Sequence, residues 1–219
     1  MRVVVLLGPP GAGKGTQAEI LAGEYGLLHV ASGDIFRAEI EAGSPLGLQA
    51  KQYVAQGALV PDETTVAMIM GRLSRPDAQA GVVLDGFPRT VAQAEALDHA
   101  LDARGSHVEH AIYLDVPTED VVRRLSARWV CPSGHVYNTI AQPPRVAGVC
   151  DVDGKRLVQR ADDRPETVRE RLTQQLAPLY EVVDHYRERG ILSVVDGRQP
   201  IASVTADILR LLRVGERAA

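Results

Sequence analysis

The chain has 219 residues, 45% hydrophobic and 24% charged, with a formal net charge of −4, which is enough chain for one domain with a sizeable core and a small inserted lobe. A mildly acidic protein lacks the dominant basic field that a dedicated nucleic-acid or membrane surface needs, so any anionic ligand is expected to be small and locally gripped. No apolar stretch approaches the ~18 residues of a membrane span and no signal-peptide pattern opens the chain, so the expectation is a cytoplasmic enzyme.

The first apolar run, Val3–Leu7, reads as a buried strand that delivers Gly8-Pro9-Pro10-Gly11-Ala12-Gly13-Lys14-Gly15-Thr16-Gln17 to a helical segment at Lys14–Tyr25. Gly8, Gly11, Gly13 and Gly15 let the backbone turn tightly and aim its N–H groups at an anion on a helix N-terminus. Lys14 then reaches the terminal phosphates. The usual phosphate loop has Ser or Thr directly after its lysine. Here Gly15 intervenes, and the hydroxyl of Thr16 serves the phosphates or a water bound to Mg²⁺.

A second strand, Leu28–Ala31, runs into Ser32-Gly33-Asp34-Ile35-Phe36-Arg37, where Asp34 is a candidate helix cap. Gly57-Ala58-Leu59-Val60-Pro61-Asp62 is a turn whose apolar residues can wall a base, and Thr64–Leu73 has helical periodicity. The third strand, Val82–Leu84, ends in Asp85-Gly86-Phe87-Pro88-Arg89-Thr90. A carboxylate at a strand's carboxyl end beside a phosphate loop is suited to positioning Mg²⁺ through water, so Asp85 takes that part. Arg89 is placed for a second phosphate, and Gln93, one helical turn on, for reading a base edge through paired hydrogen bonds.

Helical segments follow at Val91–Ala103, Glu119–Arg128 and Pro165–Arg189, with strands at Ala111–Leu114 and Leu192–Val195. This alternation predicts a mostly parallel sheet covered on both faces, with ligands at the carboxyl ends of its strands. Asp162 and Asp163 are candidate caps of the long helix, Pro165 fits its first turn, and Pro178 predicts a kink. From Trp129 to Arg160 the helical period fails. Short runs such as His135-Val136-Tyr137 alternate there with Pro143-Pro144, Gly148 and Gly154, which reads as a β-rich insertion. Both cysteines, Cys131 and Cys150, lie inside it, and two thiols in a cytoplasmic chain are weak evidence for a disulfide and better evidence for a metal or for nothing. The tail from Gly215 to Ala219 reads as dispensable.

Taken together, GPPGAGKGTQ, SGDIFR, GALVPD, DGFPRT with Gln93, Arg124 with Arg128, GHVY, QRADD and VDG at 195–197 resemble the adenylate kinases of the long bacterial type over nearly the whole chain. The resemblance implies an α/β P-loop nucleotide kinase with a five-stranded parallel sheet flanked by helices. Its core would be 1–30, 61–128 and 161–219, with a small helical AMP-binding lobe at 31–60 and a β-rich lid at 129–160. It implies a monomer that reversibly moves the terminal phosphoryl group of ATP·Mg²⁺ to AMP, giving two ADP.

On that resemblance Gly11, Ala12, Gly13, Lys14, Gly15 and Thr16 cradle the ATP phosphates. Ser32, Arg37, Ala58, Leu59, Val60, Gly86, Phe87, Pro88, Arg89 and Gln93 contact AMP. Arg124, Arg128, Arg160 and Arg171 close on the phosphates, the last two also on the AMP side, and Val136, Tyr137 and the Gln199 backbone enclose the adenine. The reacting groups are then stabilised by Lys14, Asp85, Arg89, Arg128, Arg160 and Arg171. Phosphoryl transfer needs placement and charge stabilisation more than covalent help, which agrees with a site rich in arginine and without an obvious general base.

Two departures stand out. The family often holds its lid with Zn²⁺ through two C-x-x-C or C-x-x-D halves. Here Cys150 and Asp153 keep the second spacing, but Ser133 occupies one position of the first half and Cys131 stands one residue too close. His135 supplies an imidazole instead, so Cys131, His135, Cys150 and Asp153 form an acceptable zinc set, with Ser133 as the alternative to His135. The rivals are a metal-free lid with the thiols packed as small hydrophobes, and a disulfide. Trp129 also stands where the family commonly has Arg. Other readings of the chain are a kinase for UMP or CMP and a nucleotide-binding switch module, the latter opposed by the second phosphate site at Arg37 and Arg89.

Overall fold

A computed structural model describes residues 1–56, 58–160 and 163–216. In chain order the elements are β1 (Arg2–Leu7), α1 (Lys14–Tyr25), β2 (Leu28–Ala31), α2 (Ser32–Glu41), α3 (Pro45–Gln56), α4 (Asp62–Leu73), β3 (Gly81–Asp85), α5 (Val91–Asp102), β4 (His110–Asp115), α6 (Thr118–Ser126), β5 (Arg128–Val130), β6 (Val136–Asn138), α7 (Pro165–Glu188), β7 (Leu192–Asp196) and α8 (Ile201–Glu216). All five strands expected from the apolar runs are present. They form one sheet in the order β2-β3-β1-β4-β7, with parallel pairing throughout.

Period-two alternation along β1 divides the core into two layers. Val3, Val5 and Leu7 face one side, where Ile69, Leu97, Leu101, Val182 and Tyr186 from α4, α5 and α7 pack. Val4 and Leu6 face the other, against Leu21, Leu125, Ile208 and Leu212 from α1, α6 and α8. These side chains are at most 2% exposed, and full burial of each is worth about 1.5–3 kcal/mol. The chain order reverses at β1, whose neighbours are β3 and β4. That switch point opens a crevice at the carboxyl edge of the sheet. The register pairs Leu6 with Asp85 and Ala31 with Asp85, so the segments after β1, β2 and β3 converge there.

Two smaller clusters lie outside these layers. Phe36, Ala50, Val60 and Met68 join α2, α3 and α4. Cys131, Tyr137, Cys150 and Leu157 fill the insertion, where β5 and β6 pair antiparallel and Val130 also bridges to Val158. No helix among the described residues is long and apolar enough to cross a membrane.

Local expectations fail where a polar partner elsewhere wins. The sixth helix stops at Ser126, and Arg128 opens β5, because residues 128–130 pair with 136–138 and the Ala127 carbonyl accepts from the Thr139 N–H. Asp34 is not a cap: α2 starts at Ser32 with Ala31 at the N-cap, and Asp34 sits in the first turn, paired with Arg37. Asp163 does not cap α7, whose N-cap is Arg164, since its carboxylate turns inward to Arg128. The other candidate cap, Asp162, lies outside the described residues with Gly57 and 217–219. The long helix is continuous through Pro178.

Candidate active site

The loop after β1 is shaped by glycine. Gly11 and Gly13 have φ of 81° and 99°, values that residues with a Cβ adopt only with strain. Gly13 is the N-cap of α1 and brings no side-chain cap to it, so the helix opens with backbone N–H groups suited to an anion. Lys14 folds back over the loop and donates from Nζ to the Gly8 carbonyl at 2.8 Å and the Pro9 carbonyl at 3.0 Å. Burial draws its pKa from 10.5 down to about 8. Asp85 opposes that shift, while Arg89, Arg171 and Arg128 reinforce it. Five charged groups from the loop, β3, the segment after β3, β5 and α7 therefore share one field.

Asp85 ends β3 with a His29 ring nitrogen 3.5 Å from its Oδ2. Burial pushes its carboxyl up, but His29, Lys14 and Arg89 together hold it below the usual carboxylate range. Gly15 gives the carboxylate room: a Cβ there would lie 3.3 Å from Asp85 Oδ2. The glycine after Lys14 thus lets the acid approach the loop.

Beyond Asp85, one carbonyl organises the next group. The Gly86 oxygen accepts from Ser32 Oγ at 2.7 Å and from Arg89 Nε at 2.8 Å. Arg89 also reaches Gln175 Oε1 on α7 at 3.4 Å. Burial, with repulsion from Arg171, lowers the Arg89 pKa to about 10 despite the attraction of Asp85. Gly86 has φ of 73°, and a Cβ would stand 2.8 Å from Ser32 Oγ and 3.1 Å from the Arg89 guanidinium. Gly86→Ala is therefore expected to lose about 1–2 kcal/mol of stability from backbone strain and to weaken the grip of an anion at the displaced Arg89 guanidinium. Melting and steady-state kinetics check both.

Gln93 is 1% exposed and bonded at both ends of its amide. Its Oε1 accepts the Arg89 backbone N–H at 2.8 Å, and its Nε2 donates to Asp62 Oδ1 at 2.7 Å. Asp62 was legible only as the end of GALVPD. Val60 packs in the α2–α4 cluster and its carbonyl accepts from Thr65, with Ala58 and Leu59 half-buried before it. Phe87 and Pro88 are buried, so Phe87 supports its loop from beneath. Arg37 lies half-exposed in its pair with Asp34.

The remaining arginines stand around the insertion. Arg124 donates to the Gly197 carbonyl at 2.8 Å, tying α6 to the turn after β7, where Gln199 Nε2 donates to Asp207. Arg128 Nε donates to Asp163 Oδ2 at 2.8 Å, and its NH2 bonds the other oxygen of this wholly buried carboxylate. Arg160 is half-buried, and its carbonyl accepts the Asp163 N–H. Val136 is 52% exposed, whereas Tyr137 is turned into the insertion's own core. There its hydroxyl accepts the Asp151 N–H at 2.8 Å and meets Cys150 Sγ at 3.5 Å. Its side chain is thus committed within the insertion.

The irregular cysteine spacing closes in space. One ligand atom each from Cys131, His135, Cys150 and Asp153 lies within 4.8 Å of all the others. Ser133 is engaged elsewhere, its Oγ accepting from Lys155 Nζ at 2.6 Å.

A glycine-shaped phosphate loop at the switch point of a parallel sheet, facing a second cationic group on the next strand, defines a P-loop nucleotide kinase. The comparisons narrow that class. The adenylate kinase family model matches residues 6–191. The chain is 46% identical over 96% of its length to the adenylate kinase of Lysinibacillus sphaericus, covering 97% of that protein. It is equally identical, over the same share, to that of Brevibacillus brevis, covering 99% of it. Against Bacillus subtilis adenylate kinase it is 45% identical over 95% of its length, covering 97% of that protein. The chain belongs to the adenylate kinase family.

Proposed function

We propose that the loop at Gly11–Thr16 holds ATP, that the group around Ser32, Gly86, Arg89 and Gln93 holds AMP, and that the terminal phosphoryl group passes between them to give two ADP. The observation that carries this reading is the common field around Lys14, to which Asp85, Arg89, Arg128 and Arg171 all contribute. An anion bridging the loop and Arg89 relieves the repulsion among these cations, and the charge spread over a transferring phosphoryl group is such an anion. Lys14 exchanges its carbonyl partners for phosphate oxygens, and Arg89 grips the acceptor phosphate while Gly86 and Gln175 fix its fork. Arg124, Arg128, Arg160 and Arg171 complete the charge set. Apolar Val136 and the backbone at Tyr137 and Gln199 wall the donor base, and the chain at Arg37 and Ala58–Val60 walls the acceptor.

Mg²⁺ arrives with ATP and neutralises phosphate charge. Asp85 fits it: an ionised carboxylate facing Gly15 at the foot of the loop suits water-mediated contact better than direct ligation. The separate small cores support treating 31–60 as an AMP-binding lobe and 129–160 as a lid that excludes water when it closes. The arrangement calls for no second copy, and we take the protein to act as a cytoplasmic monomer.

The test is ADP formation from ATP and AMP, with and without Mg²⁺, repeated with CMP, UMP and GMP as acceptors. Mg²⁺-dependent turnover preferring AMP is expected. Nucleotide binding without transfer, or preference for a pyrimidine acceptor, overturns the assignment.

For the lid we propose a structural zinc site at Cys131, His135, Cys150 and Asp153. Two thiols, an imidazole and a carboxylate suit tetrahedral Zn²⁺, and the engagement of Ser133 by Lys155 favours His135 as the fourth ligand. Protein purified without added zinc is expected to carry about one equivalent, against the four-ligand closed sites typical of structural zinc. Chelation should lower its melting temperature. Metal analysis returning under about a tenth of an equivalent overturns the site.

A further inference from the structure

Asp62 stands in the first turn of α4, half-buried, with its carboxylate against an amide 31 residues away. The geometry around that amide is restrictive. A primary amide has two N–H groups and two lone pairs on its oxygen. In Gln93 one N–H is spent on Asp62 Oδ1 at 2.7 Å, and one lone pair on the Arg89 backbone N–H at 2.8 Å. An ionised carboxylate only accepts and a backbone N–H only donates, so the network itself assigns the amide orientation. Turning the amide over would set oxygen against oxygen at Asp62 and N–H against N–H at Arg89.

What remains on Gln93 is one N–H and one lone pair in a fixed order. Adenine presents an acceptor at N1 beside a donor at N6, which that order can satisfy. A 6-oxopurine presents the reverse, a donor at N1 beside the O6 acceptor, and would need the amide turned over. Leaving buried polar groups unmatched is what makes such discrimination strong.

We propose that Asp62 is a positioning residue for acceptor selectivity: by locking the Gln93 amide, it selects a 6-aminopurine monophosphate over a 6-oxopurine one. The inference rests on the assignment of Gln93 to the acceptor base made above. Asp62 touches Gln93 and acts on the base only through it.

The experiment compares kcat and KM for AMP and IMP in the wild type and in Asp62→Asn, Glu63→Gln and Gln93→Ala. IMP is read as an inhibition constant against AMP if its turnover is too slow. Asp62→Asn keeps the side chain's shape, but its amide can meet either orientation of Gln93, so that only the Arg89 N–H still opposes the turned amide. Glu63 shares the first turn of α4 and its helix-terminus electrostatics without an observed bond to Gln93, so it reports any purely structural effect. For Asp62→Asn the preference for AMP over IMP in kcat/KM is expected to fall about tenfold or more, the scale of one hydrogen bond to a charged group. KM for ATP and the melting temperature should match those of Glu63→Gln.

A preserved preference in Asp62→Asn, with loss of preference in Gln93→Ala, overturns the positioning role while leaving the base contact intact. A preference unaltered in Gln93→Ala means that Gln93 does not read the base, and the inference falls with that assignment. Parallel rises in KM for ATP and AMP, with a melting temperature below that of Glu63→Gln, reduce Asp62 to a structural residue and overturn the proposal.

Discussion

Lys14→Met is expected to lower kcat about a hundred- to a thousandfold while making the nucleotide-free protein more stable. The two effects have one cause. Burial draws the Lys14 ammonium down to a pKa of about 8, and Arg89, Arg171 and Arg128 add repulsion that Asp85 only partly offsets. A lysine whose folded pKa lies below its unfolded value of 10.5 binds fewer protons folded than unfolded between those two values, so stability rises with pH across that window. Its cost is fully present below pH 8 and fades as pH climbs toward 10.5. Methionine fills the same space without the charge. At pH 7 the variant should therefore exceed the wild type by about 1–2 kcal/mol, less than the full linkage because Lys14 is only partly enclosed. Melting at pH 7 and pH 9.5 should show the gap narrowing at the higher pH. A variant with normal phosphotransfer would remove Lys14 from the chemistry, and an unchanged or lower melting temperature at pH 7 would remove the stored repulsion.

Arg89→Lys is the second large effect, although both residues carry the same charge. The Arg89 fork is shared: Nε holds the Gly86 carbonyl, one terminal nitrogen reaches Gln175, and donors remain for a phosphate. An ammonium is a point charge on a flexible stem and cannot bridge two fixed acceptors while presenting a planar pair of donors. Losing two hydrogen bonds to a charged group at about 1.5 kcal/mol each predicts roughly a hundredfold loss in kcat/KM for AMP. KM for ATP should change much less. Steady-state kinetics with each substrate varied in turn distinguishes these outcomes, and equal losses toward both nucleotides would place Arg89 outside the acceptor site.

Much of this was legible along the chain for reasons that operate within short windows. Val3–Leu7 and Val82–Leu84 are continuous apolar runs because both faces of the sheet are covered. Gly11 and Gly13 mark a loop whose backbone needs positive φ. Lys14 at the helix start and Asp85 at a strand end are placed by the chain's own grammar of strand, loop and helix. The misplaced elements share a different character. Arg128 read as the end of a helix and Asp163 as a cap, yet the two are partners across 35 residues, and no window contains both.

The sheet, the phosphate loop and the family were readable from the order of residues alone, since apolar period and glycine placement act locally and burial follows from them. Which polar groups meet was settled by the folded chain: Gln93 with Asp62, Arg128 with Asp163, Cys131 with Asp153, and His135 with Cys150 while Ser133 turns to Lys155. A polar side chain can bond many partners equally well, and the choice falls to whichever the strand order β2-β3-β1-β4-β7 and the folding of the insertion bring within hydrogen-bonding distance. That proximity is a property of topology, which spacing along the chain does not carry.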